Sequence, residues 1–369
     1  MSNPDLDKIK KILIISISGM GTTILFSSLL DSIKKQIPNA KIIFLVGSKY
    51  TRNFLQNNPN IDEIITWDFF KSGKISTIKF LLGLRKEKFD LSVNVYPNLR
   101  KEHNIISYLI GSKCRLSHDP PDSKLSRLSF LINNRIPIDF SLHDIENNKN
   151  LLHSIGIDAK NLSPLIYLSK QNQLEAETFL KDKNIDKNQI LVGARVGDVS
   201  STEGRNWPPE RFSKLFDMLI QQNIKIIIFS NSQDQEIIDE IDDKIKNELL
   251  IYQDSDVANV AALIKKCNCF ISDDSGLMHV ASSVDTPIVA LFGPTNSIWT
   301  SPISKKFKII STNIDCSPCL NRINPPKGRD TKKFNLIDCY IDDKFACMKE
   351  LSEHDVYAAV NNLIKNHDK

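Results

Sequence analysis

No stretch of the chain is both long and apolar enough to cross a bilayer. The N-terminal run MSNPDLDKIKKILIISIS holds an apolar core too short to span, and its β-branched residues suit a first strand better than a cleavable leader. A cytoplasmic protein is expected, at most touching a membrane surface. Charge imbalance is also missing. Against 48 Lys and Arg stand 44 Asp and Glu, a net of +4 with the signs interspersed, which argues against a dedicated nucleic-acid binder. Seven cysteines in 369 residues do not make a secreted disulfide scaffold. Nor is there a dinucleotide fingerprint, since Ser18-Gly19-Met20-Gly21 lacks the third glycine. That disfavours a nicotinamide dehydrogenase.

What is present is an alternation of apolar strands and amphipathic helices. Residues 12–17 read as a strand, 18–21 as a glycine-bearing turn, and 22–37 as a helix with Phe26, Leu29, Leu30, Ile33 and Ile37 on one face. With the strand at 41–46 this is a βαβ unit, and hence a parallel sheet covered by helices. Strands and helices follow at 61–66, 75–84 and 91–96. Polar loops are expected at 97–103 and 117–122, at the sheet's carboxyl edge. The alternation weakens over 147–168 and restarts at 190 with strands at 190–194, 225–229 and 249–252 and helices at 208–222, 234–246 and 257–266. Two α/β domains follow, 1–165 and 166–350, and a closing segment, 351–369, carries a helix at 352–364.

The most informative stretch is 268–302. Cys269, Phe270 and Ile271 run into Asp273 and Asp274, a short helix starts at Ser275-Gly276, and a second apolar run ends in Phe292-Gly293-Pro294-Thr295. A helix beginning there directs free N–H groups and a positive dipole end beyond the strand, which suits a phosphate. Asp274 and His279 would flank that anion.

The joined motifs, Asp274-Ser275-Gly276-Leu277-x-His279 and Phe292-Gly293-Pro294-Thr295, resemble the signature of glycosyltransferase family 9, the bacterial lipopolysaccharide heptosyltransferases. The resemblance implies a GT-B fold, two Rossmann-like parallel-sheet domains facing a central cleft, with the closing helix packed back toward the N-terminal domain. It further implies an inverting, metal-independent transferase that needs no cofactor. Its donor would be a nucleotide-diphosphate sugar, ADP-heptose by family habit. Its acceptor would be a lipopolysaccharide-type or other saccharide, lipid-linked or free, with peripheral membrane contact and no nucleic acid.

Arg205-Asn206-Trp207-Pro208 resembles the family's Lys-x-Trp-Pro. A cation at a helix start is unfavourable unless it meets an anion, and Arg can hold a diphosphate bidentately. Arg195, after the second domain's first strand, is either a second phosphate contact or a surface charge. Asp234 is either the carboxylate that holds the donor ribose or a helix N-cap. With Leu277, these complete the donor set. In the N-terminal domain the family's opening turn places Gly21 at the acceptor, and Asn98 and Arg100 in the polar loop at 97–103 are either further acceptor contacts or part of a solvated loop at a helix start.

The family's proposed base, an Asp after the second glycine, is Thr22 here. A Thr hydroxyl cannot take a proton near neutral pH. Of Glu102, His103, His118, Asp119 and Asp122, the favoured replacements are Asp119 and His103. The alternative is a catalytically silent nucleotide-sugar-binding homologue. Cys316, Cys319, Cys339 and Cys347 resemble a cysteine pattern of the family and make either a structural zinc site or reduced structural thiols. Cys267 and Cys269 flank a buried strand as core residues.

Overall fold

The computed structural model describes residues 4–17, 19–97, 101–119, 128–160, 162–186, 188–197, 203–231, 234–319, 339 and 343–365. Two compact units, Met1–Tyr167 and Leu168–Lys369, each hold one six-stranded sheet. The first contains β1 (Lys11–Ser16), β2 (Lys41–Val46), β3 (Glu63–Thr66), β4 (Leu91–Asn94), β5 (Cys114–Asp119) and β6 (Asn134–Pro137) in the order β3-β2-β1-β4-β5-β6. The second contains β7 (Leu191–Ala194), β8 (Lys225–Phe229), β9 (Leu249–Tyr252), β10 (Cys269–Asp273), β11 (Ile288–Phe292) and β12 (Phe307–Ser311) in the order β12-β11-β10-β7-β8-β9. All pairings are parallel. The central strands are buried almost throughout, as near-continuous Ile, Leu and Val runs covered on both faces must be.

Both sheets repeat one topology. The direction of strand addition reverses between β1 and β4 in the first unit and between β7 and β10 in the second. Parallel sheets bind ligands beyond the carboxyl ends of strands at that reversal, where the flanking connections diverge. The second reversal brings the end of β7, next to Arg195, beside the end of β10, next to Asp274.

Several expected elements differ locally. The helix expected at 22–37 is two, Met20–Ser27 and Leu30–Gln36, because Ser27 and Ser28 turn their hydroxyls back onto the Ile24 and Leu25 carbonyls at 2.7 and 2.8 Å. The helix at 234–246 is also two, Gln235–Asp239 and Asp243–Lys246, the second capped by the Asp242 carboxylate accepting the Lys244 N–H. Ser117, His118 and Asp119 do not form a loop; they extend β5 and pair with Arg135, Ile136 and Pro137. Lys101–Ile110 is a helix from its first residue, so Glu102 and His103 lie in its opening turn.

The closing helix, Glu353–Lys365, packs against the helix Pro209–Ile220 of the C-terminal unit. Its Val356, Ala359, Val360 and Ile364 form one apolar stripe that joins the core around Phe212, Leu215 and Phe216. Glu353 pairs with Arg211 and Lys214, and Trp207 donates its indole N–H to the Leu351 carbonyl at 3.1 Å. Among the described residues no helix is long and apolar enough to cross a membrane.

Candidate functional site

At the carboxyl end of β10 the chain turns sharply, with the Ser275 N–H donating to the Asp273 carbonyl at 2.8 Å. The helix Gly276–Ser283 starts immediately afterwards. Ser275 is its N-cap residue, yet its hydroxyl shares a hydrogen bond with Ser272 at 2.9 Å and gives the helix no side-chain cap. The first-turn N–H groups therefore keep their positive end outward, as an anion site requires.

Arg205 reaches this turn. Its Nη1 donates to the Asp274 carbonyl oxygen at 2.8 Å, while its buried Nε has no partner among the described residues. One donor of the guanidinium thus fixes it against the helix start, and the remaining fork is available to a ligand. The neighbouring Trp207 anchors the segment, buried edge to face against Phe212 with ring centroids 4.8 Å apart. Asp274 turns its carboxylate the other way and accepts the Thr300 hydroxyl at 3.1 Å. That bond ties the acidic turn to the short helix Ser297–Thr300 after Gly293-Pro294-Thr295, so the two sequence motifs are one structural feature.

Arg195 is neither a surface charge nor a simple loop cation. It is buried with Nε 3.7 Å from Asp273 Oδ1 and Nη1 3.8 Å from Asp234 Oδ2. Burial pushes the Asp273 carboxyl above its ordinary range, while Arg195, the Ser275 hydrogen bond and Arg205 pull it back. Asp234 is fully buried, and its carboxylate accepts the Asn231 N–H at 2.9 Å. It supplies the helix after it with no side-chain cap. Asp234 and Arg195 accordingly form an internal charge pair beneath the turn. Asp273 completes it and was absent from the expected set, although the Asp273-Asp274 doublet was visible. His279 is buried, as are Met278, Val280 and Ala281 of the same helix, whereas Gly276 and Leu277 are half-buried.

In the N-terminal unit Gly21 and Thr22 occupy the first turn of the helix Met20–Ser27, half-buried beyond the end of β1. Ser16 and Thr23 hydroxyls share a hydrogen bond at 2.7 Å, which fastens that helix to the strand. His103 is buried on the helix Lys101–Ile110, beside the Asn104 and Ser107 side chains that bond Asn94 at the end of β4. It is not the loop residue expected. His118 is buried in β5, its ring 4.9 Å from that of Tyr96, and burial pushes its imidazole down to about 4, so it is neutral at pH 7. Asp119 is half-exposed, with Oδ2 3.2 Å from Arg135 Nη1. The strand register sets it level with Ile17, two strands across, a separation of about 10 Å. Asn98, Arg100 and Asp122 lie outside the described residues.

The cysteines gather next to the Gly293 loop. Burial first, and then the proximity of Cys319, Cys316 and Cys339, raise the Cys347 thiol to about 12. Gly293 is needed there, since a Cβ would stand 2.5 Å from Met348 Sδ and 3.0 Å from Cys347 Sγ. Among the described residues no group of three or more His, Cys, Asp or Glu is disposed to hold a metal ion. Cys267 and Cys269 are buried core residues, as expected.

Residues 78–328 match the family glycosyltransferase family 9 (heptosyltransferase). The lipooligosaccharide heptosyltransferase 2 of Haemophilus influenzae is 27% identical over 316 residues, covering 81% of this chain and 88% of that protein. Among solved structures, the glycosyl transferase family 9 protein of Veillonella parvula DSM 2008 superposes with a TM-score of 0.77 at 22% identity, covering 99% of each chain. The E. coli ADP-heptose lps heptosyltransferase II superposes with a TM-score of 0.72 at 18% identity, covering 97% of this chain and all of its own, 100%. Two six-stranded parallel sheets of this order are the GT-B arrangement of those structures.

Proposed function

The chain belongs to glycosyltransferase family 9, and from that premise we propose that it transfers heptose from ADP-heptose to a saccharide acceptor of the lipopolysaccharide core type, inverting the anomeric centre. The observation that carries the donor half is the convergence of the Arg205 guanidinium on the uncapped start of the helix Gly276–Ser283. In this reading the acceptor hydroxyl attacks the anomeric carbon opposite the diphosphate. The bond from that carbon to the phosphate oxygen breaks, its electron pair leaves on the nucleoside diphosphate, and Arg205 with the helix N–H groups stabilises the growing charge. The Arg195, Asp234 and Asp273 charges beneath the turn hold its geometry. The similarity to the E. coli ADP-heptose lps heptosyltransferase II supports ADP-heptose as the donor.

The acceptor's proton goes to Asp119 in this reading. Thr22 stands in the first helical turn where the family has its acid, His103 is buried, and Asp119 keeps a half-exposed carboxylate oriented by Arg135. Thermal-shift measurements with ADP-, GDP-, UDP- and dTDP-sugars test the donor, because a ligand of the folded state raises its melting temperature. ADP-heptose should raise it and the others should not. Release of ADP with a saccharide acceptor then tests the base: Asp119→Asn should abolish turnover with donor affinity intact, and His103→Ala should leave it. Turnover only after Thr22→Asp would replace this reading with that of a silent sugar-nucleotide binder.

A further inference from the structure

The helix Lys74–Leu84 is apolar on two opposite sides. Its inner side, with Phe80, Leu81 and Leu84, closes the core of the N-terminal unit, and Phe80 stacks on Trp67 with ring centroids 4.1 Å apart. Its outer side presents Ile75 at 72%, Ile78 at 45% and Leu82 at 45% exposure, and Phe70 in the preceding turn is 77% exposed. At 100° per residue Ile75, Ile78 and Leu82 fall within one narrow stripe. Three aliphatic side chains in register on a solvent-facing stripe, with an aromatic next to them, are not the scattered single hydrophobics that ordinary surfaces carry.

Basic side chains outnumber acidic ones around the stripe; Asp68, just before it, has one carboxylate oxygen engaged by the Phe70 and Lys71 N–H groups at 3.0 and 2.9 Å. Lys71, Lys74, Lys79 and Lys86 are all exposed, and from 70 to 88 the only acid in the sequence is Glu87, which is paired with Lys11 at 2.8 Å. Apolar side chains at the centre of a helix face with lysines along its flanks are the arrangement that lies in a bilayer interface. The aliphatic groups enter the acyl boundary and the long lysine stems lift their ammonium groups to the headgroups. A protein partner would need acidic groups to match these lysines, and a second copy of the same face would bring lysine against lysine.

We propose that this face docks the protein on an anionic lipid surface. The inference rests on the N-terminal unit alone and is independent of the donor site, though it suits the proposed function, whose acceptor is a saccharide carried on lipid.

Co-sedimentation of the full chain with phosphatidylcholine vesicles containing phosphatidylglycerol, against pure phosphatidylcholine, provides the test. Binding to the anionic vesicles alone, released by high salt, is expected. Lys74→Gln with Lys79→Gln should weaken it about twenty-five-fold, about fivefold for each charge removed. Ile75→Ser with Ile78→Ser and Leu82→Ser should abolish it even at low salt, with the melting temperature kept, since all three side chains are exposed. Turnover of a water-soluble, delipidated saccharide should be unchanged in both variants, so failure of the transferase reading would show separately, as a wild type that releases no ADP. Anionic-vesicle binding absent in the wild type, or unaltered in both variants, overturns the proposal. So does sedimentation velocity showing a dimer that the serine variant dissociates while vesicle binding persists.

Discussion

Replacing Arg205 with Ala separates the two roles that its position allows. One is structural, since the Nη1 bond to the Asp274 carbonyl at 2.8 Å holds the turn before the helix Gly276–Ser283. A hydrogen bond from a charged group contributes about 1.5–3 kcal/mol when buried, and less here because Arg205 is only half-buried. At about 2–4 °C per kcal/mol for a unit of this size, the melting temperature should fall by a few degrees. The other role is catalytic. A fixed donor aimed at charge that grows in the transition state is worth about 2.7–4 kcal/mol, so kcat should fall by about 10²–10³. Part of that loss should return in Arg205→Lys, which restores the charge without the bidentate fork. The assays are steady-state ADP release, ADP affinity by calorimetry and a thermal melt on the same preparations. A lowered melting temperature with unchanged kcat would reduce Arg205 to a clamp on the turn. Unchanged kinetics and stability together would remove it from the site.

Gly193→Ala should cost about 1–3 kcal/mol in urea unfolding, because its Cβ would stand 2.7 Å from Phe270 Cδ2 and 3.0 Å from Phe229 Cε2, both rigid ring atoms; an unchanged midpoint would refute that packing. Arg195→Met should destabilise by about 3–5 kcal/mol, since it removes the buried cation that lies between Asp234 and Asp273; a variant as stable as the wild type would show that these carboxylates are not held by that charge. Glu353 resists the upward push of burial because its own N–H, Arg211 and Lys214 hold its carboxyl down at about 2. Its folded value lies below its unfolded one, so its stabilisation is present above about pH 4.5 and lost as pH falls toward 2, on the order of 1–2 kcal/mol given the partly exposed cations. Glu353→Gln should remove that part of the acid slope in a pH series of melts, and a parallel slope in wild type and variant would refute it.

The alternating strands and helices, the two parallel sheets and the sharp turn into the helix Gly276–Ser283 were legible in the sequence because each rests on short-range patterns. Continuous apolar runs mark buried parallel strands, and a small-residue helix after an acidic strand end declares its free N–H groups locally. The helix Lys101–Ile110 was missed: the spacing of His103, Ile106 and Ile110 fits a buried helical face, but the polar residues before it read as loop. Tertiary structure decided the rest. Whether Arg195 meets phosphate, water or carboxylates depends on Asp234 and Asp273, which are remote in sequence and reach it only because β7 lies between β8 and β10. The closing helix has an apolar stripe that any exposed core could accept, and the groove beside Phe212 and Leu215 selected the second unit. The outer face of Lys74–Leu84 was likewise indistinguishable from a core face in sequence, since an aliphatic side chain carries no mark of which side of a helix will be covered. Local chemistry is written in neighbouring residues, but burial and charge pairing belong to contacts that exist only once the sheets have formed.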